Sequence, residues 1–96
     1  MKVVWSPRAQ ADFEYHLTFL RVEWGESVAR KFFDRCIRLI DQITANPRMF
    51  VASTSFPDIR RCVVNRKITL YYRIKQDQIE LITFWLAQQN PERLDI

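Results

Sequence analysis

Ninety-six residues, 48% hydrophobic and 14% aromatic, make one domain spanning residues 1–96 with enough apolar surface to bury a core, which excludes a second domain and a disordered chain. One glycine, one histidine and two cysteines exclude a phosphate-cradling glycine loop, a zinc site and a disulfide framework, so no metal and no cofactor is expected. The net charge is +4, yet the segment from Arg60 to Lys75 holds six basic residues and no acidic one; it contributes +6, the remainder is −2, and an acidic partner is expected there.

In chain order, Lys2 to Trp5 is a short apolar run that reads as a strand. Ser6-Pro7 then starts a helix, because a serine hydroxyl accepts an orphan N–H and proline lacks the N–H it would waste. The N-terminal stretch MKVVWSPRA has no signal core and no apolar run is long enough for a bilayer, so a cytoplasmic protein without membrane association is expected. Ala9, Phe13, Leu17, Leu20 and Trp24 form one apolar stripe on the first helix, with His16 as a partly exposed helix residue. Gly25 is expected at positive φ, and Ser27 is a candidate cap for a second helix. Ala29, Phe32, Phe33, Cys36, Ile37, Ile40 and Ile43 give the clearest helical period, which stops at Asn46-Pro47.

Residues 47–58 read as a loop whose Met49, Phe50, Val51 and Phe56 pack down. Three strand-like runs follow: Ile59 to Val64, Ile68 to Lys75 and Ile79 to Leu86. In the second, Ile68, Leu70, Tyr72 and Ile74 share one face, and Thr69, Tyr71, Arg73 and Lys75 the other. Asn65-Arg66-Lys67 and Gln76-Asp77-Gln78 are the turns, with Asn65 a residue that tolerates the left-handed region. The last run is apolar at nearly every position and is expected to lie centrally, both faces covered. The polar tail AQQNPERLDI closes the domain. The predicted fold is α+β, in the order β-α-α-β-β-β. An antiparallel sheet of about four strands carries the α-hairpin on one face, and a partly open opposite face carries the basic residues.

A strand ending in WSPRAQADF, an α-hairpin, then IRRCVV, a turn, ITLYYRI and a last apolar strand resemble the RelE/ParE superfamily of bacterial toxins over almost the whole chain. The sharpest parts are Trp5-Ser6-Pro7 with Ala9, the Arg60-Arg61 pair, and Tyr71-Tyr72-Arg73-Ile74. The resemblance implies the toxin half of a type II toxin–antitoxin pair, neutralised by an antitoxin whose C-terminal segment wraps it. It also implies one of two activities: binding and inhibition of DNA gyrase, as in ParE-like members, or mRNA cleavage in the ribosomal A site, as in RelE-like members.

RNA cleavage by the 2′-hydroxyl needs a base, positive charge on the phosphate and a proton for the leaving oxygen. Arg61 and Arg73 would hold the phosphate, and Tyr71 or a residue of the tail would shuttle the proton. The set the RelE-like resemblance implies is incomplete here. The second of the three runs has no lysine before Lys75, FWLAQQNPERL has neither Tyr nor His, and Gln88 stands where related chains often carry arginine. Asp12 and Glu14 are two apart on a helix and point away from each other. The other reading of the basic cluster is docking. Arg60, Arg61, Arg66, Lys67 and Arg73, with Trp85, would bind an acidic antitoxin or the target, since the guanidinium fork pairs two-pronged with carboxylates. Arg60 and Arg61 alternate sides, and Arg61 is expected to face the open groove. The sequence therefore favours a ParE-like gyrase inhibitor. A ribosome-dependent endoribonuclease is the alternative, and a non-toxic basic interaction or nucleic-acid-binding module is the second alternative.

Overall fold

The computed structural model describes residues 1–86; the tail expected over 87–96 lies outside the described residues. The elements are β1 (Lys2–Trp5), α1 (Pro7–Trp24), α2 (Glu26–Ala45), β2 (Arg60–Val63), β3 (Ile68–Lys75) and β4 (Gln78–Leu86). The sheet order is β1-β4-β3-β2. The sheet is mixed, not wholly antiparallel: β1 runs parallel to β4, pairing Lys2 with Gln78 and Trp5 with Leu81. The helical hairpin crosses over from β1 to β2 and brings β2 back parallel to β1; two antiparallel reversals, β2 to β3 and β3 to β4, then leave β4 parallel to β1 as well.

Ser6 caps α1 as expected, its hydroxyl accepting from Ala9 N at 2.9 Å, with Pro7 in the first turn. Gly25, at φ 97°, joins the helices. It also caps α2 in place of Ser27, which lies within the helix. The stripes pack through Phe13, whose ring lies 5.2 Å from Trp5, 5.3 Å from Phe84, 5.8 Å from Phe33 and 6.0 Å from Phe32. Trp24 does not join the stripe and is 66% exposed. It is the last residue of α1, directly before the Gly25 turn.

The hairpin covers one sheet face, burying Cys62, Leu70, Tyr72, Ile79, Leu81 and Phe84 against Ala9, Phe13, Phe32, Cys36, Ile40 and Ile43. The opposite face is less open than expected. The segment before β2 folds back over it, so Ile59, Tyr71 and Ile82 bury together, flanked by Phe56 and Trp85. Of the apolar loop residues, Phe50 and Phe56 pack down, whereas Met49 and Val51 stay exposed. A register shift between Tyr71 and Tyr72 leaves Ile82 unpaired in β4. This bulge lets Leu81 and Phe84, three apart, both join the hairpin-side core while Ile82 joins the other cluster.

β1 is four residues long and β4 nine, so β1 covers only the first part of that edge of β4. Ser6, the cap of α1, and side chains of α1 take over where β1 stops. Ser6 N donates to Leu81 O at 3.0 Å, and the Ser6 hydroxyl to Ile82 O at 2.8 Å. Thr83 donates its hydroxyl to the Asp12 carboxylate, and His16 Nε2 donates to Phe84 O at 2.8 Å. That is why His16 is buried rather than partly exposed: it satisfies a strand carbonyl that no neighbouring strand among the described residues reaches.

Candidate functional site

The basic segment maps onto β2, β3 and the turn between them. Arg60 and Arg61 take opposite sides of β2. Arg60 is half-buried and holds the preceding loop, its Nη1 donating to Phe50 O at 2.6 Å and Arg48 O at 3.2 Å. Arg61 is exposed and lies opposite Tyr71 in the strand register. Arg66 and Lys67 are exposed in the β2–β3 turn. Asn65 shapes this turn, its Oδ1 accepting from Lys67 N at 2.8 Å and Ile68 N at 2.9 Å. The left-handed residues are Gln76 and Asp77 of the next turn, not Asn65.

Arg73 shares a sheet face with Tyr71, but both are engaged. Arg73 Nε donates to Glu80 Oε1 at 2.6 Å, and its Nη1 lies 4.0 Å from Asp58. Tyr71 is buried in the Ile59–Ile82 cluster. Trp85 is half-buried on the same face, with the Arg8 guanidinium 5.7 Å from its ring centre. Its indole N–H has no partner among the described residues.

One cation belongs with this region that the sequence reading left out. Arg35 of α2 donates its Nε–H to Val64 O, at the start of the basic turn. The signal was the run Arg30, Lys31, Arg35, Arg38 on the polar side of α2, which by itself reads as a solvated face. The exposed cations around this turn are therefore Arg35, Arg61, Arg66 and Lys67, drawn from a helix, a strand and a turn; Lys75, also exposed, lies at the far end of β3. Forked guanidinium groups and a free ammonium of this kind bind carboxylates or phosphates.

Three buried groups lie elsewhere, in the core beneath the helical hairpin. Burial pushes the Cys36 thiol up to about 12 and the Cys62 thiol up to about 11, so both are protonated and unreactive at neutral pH. Burial likewise pushes Tyr72 up to about 12; its hydroxyl donates to Pro47 O at 2.6 Å. His16 is committed to Phe84 O at the α1 edge. Among the described residues no group of three or more His, Cys, Asp or Glu could hold a metal ion, and no helix is long and apolar enough to cross a membrane.

Residues 3–91 match the family model of the ParE toxin of the type II toxin–antitoxin system parDE. The chain belongs to the ParE toxin family. It is a toxin of the type II toxin–antitoxin class, and its two helices and four-stranded sheet are the RelE/ParE arrangement. Among solved structures, it is similar to a chain of the chromosomal ParDE system of P. aeruginosa, with a TM-score of 0.77 at 17% identity over 90% of this chain and 95% of that one. A YoeB/ParE toxin from Agrobacterium tumefaciens gives a TM-score of 0.68 at 15% identity, covering 91% and 99%. A chain of the heterotetrameric YoeB–YefM toxin–antitoxin complex from Staphylococcus aureus gives 0.62 at 14%, covering 88% and 94%. No curated protein sequence matches the chain.

Proposed function

We propose that this ParE-family toxin arrests bacterial growth by binding DNA gyrase in the cytoplasm, without cutting RNA, and that an antitoxin neutralises it. The observation that carries the reading is the state of the residues a nuclease would need. Tyr71 is buried, and Arg73 is paired with Glu80. Among the described residues, what remains accessible in the basic cluster is cationic charge, with Tyr71 not available as a proton shuttle beside it, which serves docking better than transesterification. The partner that suits Arg35, Arg61, Arg66 and Lys67 is an acidic segment of the antitoxin; solved neighbours of this fold include toxin–antitoxin complexes.

The experiment is induction of this chain alone in bacteria, with pulse labels for DNA and protein synthesis, paired with a gyrase supercoiling assay in vitro. DNA synthesis is expected to fall first and supercoiling to be inhibited. Early loss of protein synthesis, with new 5′ ends inside translated codons, replaces this reading with the ribosome-dependent nuclease. Continued growth with no gyrase inhibition leaves a non-toxic basic module.

A further inference from the structure

α2 divides its polar side into two lines of different charge. Lys31, Arg35, Arg38 and Gln42 fall at i, i+4, i+7 and i+11 and share one line along the helix. All four are exposed; three are cations, and Gln42 adds an amide. Arg30, Asp34 and Asp41 stand on the next line, where Arg30 borders a separate concavity with Leu17 and Arg21 of α1. On that second line charge cancels, Arg30 Nε lying 3.4 Å from Asp34 Oδ1. On the first line none of Lys31, Arg35 and Arg38 enters an ion pair among the described residues, Asp41 included.

The first line is also shaped. The Nε–H of Arg35 is held by Val64 O, which orients the guanidinium and leaves its Nη groups without a partner among the described residues. Arg35, Arg38, Leu39 and Gln42 line a concavity of about 290 Å³. Val64 leads directly into Asn65-Arg66-Lys67, so the cations of the β2–β3 turn stand close by. Length and chemistry then choose the ligand. Lys31 to Gln42 spans about 16 Å of helix, over which one DNA strand sets about five phosphates. Guanidinium, ammonium and amide N–H groups are what proteins bring to a sugar-phosphate backbone. A protein segment would need an aromatic or aliphatic anchor, and the line offers none; Leu39 is half-buried against the core. A single strand would need rings for its bases to stack on, and no aromatic side chain shares the line. We infer that this side of α2, with Arg66 and Lys67, is a sequence-independent site for the phosphate backbone of duplex DNA. Lys31 and Arg38 set it apart from the surface proposed for the antitoxin; Arg35, Arg66 and Lys67 are common to both. Only the choice of DNA over RNA rests on the gyrase reading.

The test is fluorescence anisotropy of the purified chain with a labelled DNA duplex of about 20 base pairs and arbitrary sequence, at roughly 50–200 mM salt. Micromolar binding is expected at the low-salt end, with a log–log salt slope of about −4, because Lys31, Arg35, Arg38, Arg66 and Lys67 each displace close to one counterion. A duplex of different sequence should bind equally. Arg38→Gln is expected to weaken binding about tenfold at low salt and to make the slope shallower by about 1. Lys31→Gln serves if circular dichroism shows that variant misfolded. Lys75→Gln removes the same charge from the far end of β3 and should leave the slope unchanged. Equal losses for Arg38→Gln and Lys75→Gln overturn the inference, since net charge alone would then attract the DNA. So does the absence of binding at low salt, tighter binding of an RNA duplex, or displacement of the DNA by poly-glutamate at matched charge. No gyrase is present, so failure here and failure of the gyrase reading are seen in separate assays.

Discussion

The two faces of the sheet are built differently. The hairpin face is a continuous core in which two helices close over β3 and β4. On the opposite face the buried hydrophobic cluster among the described residues is the small group Ile59, Tyr71 and Ile82, covered by an irregular segment and edged by Phe56, Trp85 and exposed cations. Helices supply a repeating apolar stripe, so they cover a sheet over its whole length; a loop has no period and covers it in patches. Stability therefore concentrates on one face, and the other is left to charge. Tyr71 and Tyr72 are adjacent, yet they serve the two faces separately.

Substitutions graded across the sheet sharpen this contrast. Phe84→Ala, on the hairpin face, should cost about 3–5 kcal/mol in urea unfolding, because it removes a ring shared by Trp5 and Phe13. Ile82→Ala, on the loop face, should cost about 2 kcal/mol, the low end for such truncations, since an irregular cover can settle into the space. An equal or larger loss for Ile82→Ala would erase the distinction.

Alkaline pH probes the hairpin face through its two thiols. Both thiols are raised above their unfolded value of 9.0, to about 12 for Cys36 and about 11 for Cys62, through burial. The folded state therefore favours the protonated thiols. Their contribution is intact below pH 9 and is lost as pH rises toward 11–12, on the order of 1 kcal/mol per thiol by pH 10. Replacing Cys36 with alanine should flatten that limb of the stability curve measured by denaturant titration between pH 8 and 10.5. An unchanged slope would mean the thiol is not desolvated.

His16→Phe keeps the ring and removes the donor to Phe84 O; a loss of about 1–2 kcal/mol is expected from the orphaned carbonyl, read by thermal melting. The smallest effect on folding belongs to the basic turn. Arg66→Glu with Lys67→Glu should change stability by less than about 0.5 kcal/mol, since both are exposed. The same pair should weaken antitoxin binding measured by calorimetry, more so at low salt. Full affinity after that reversal would move the docking surface away from the turn.

Helices and strands were legible because their periods repeat. Asn46-Pro47 ended α2 where expected, and β3 sent Ile68, Leu70 and Tyr72 to one core and Tyr71 to the other, although both sides of its first five residues are buried. The site was less legible, because its members were judged by type and position alone. Arg60 and Arg61 look alike as a pair, yet one braces a loop and the other faces solvent. Arg73 reads as a free cation until Glu80, on the neighbouring strand, is brought opposite it.

By itself the sequence determined the element order, the hairpin, the central place of the last strand and the concentration of charge in one segment. Each is a local property, set by side-chain period, by proline and glycine, or by simple composition. Tertiary structure decided which strand is parallel, that His16 completes the edge of β4, which arginines are spent on the fold, and that Arg35 of α2 reaches the β2–β3 turn. Those depend on residues far apart in the chain meeting at hydrogen-bond or ion-pair distance, and no local pattern records the meeting.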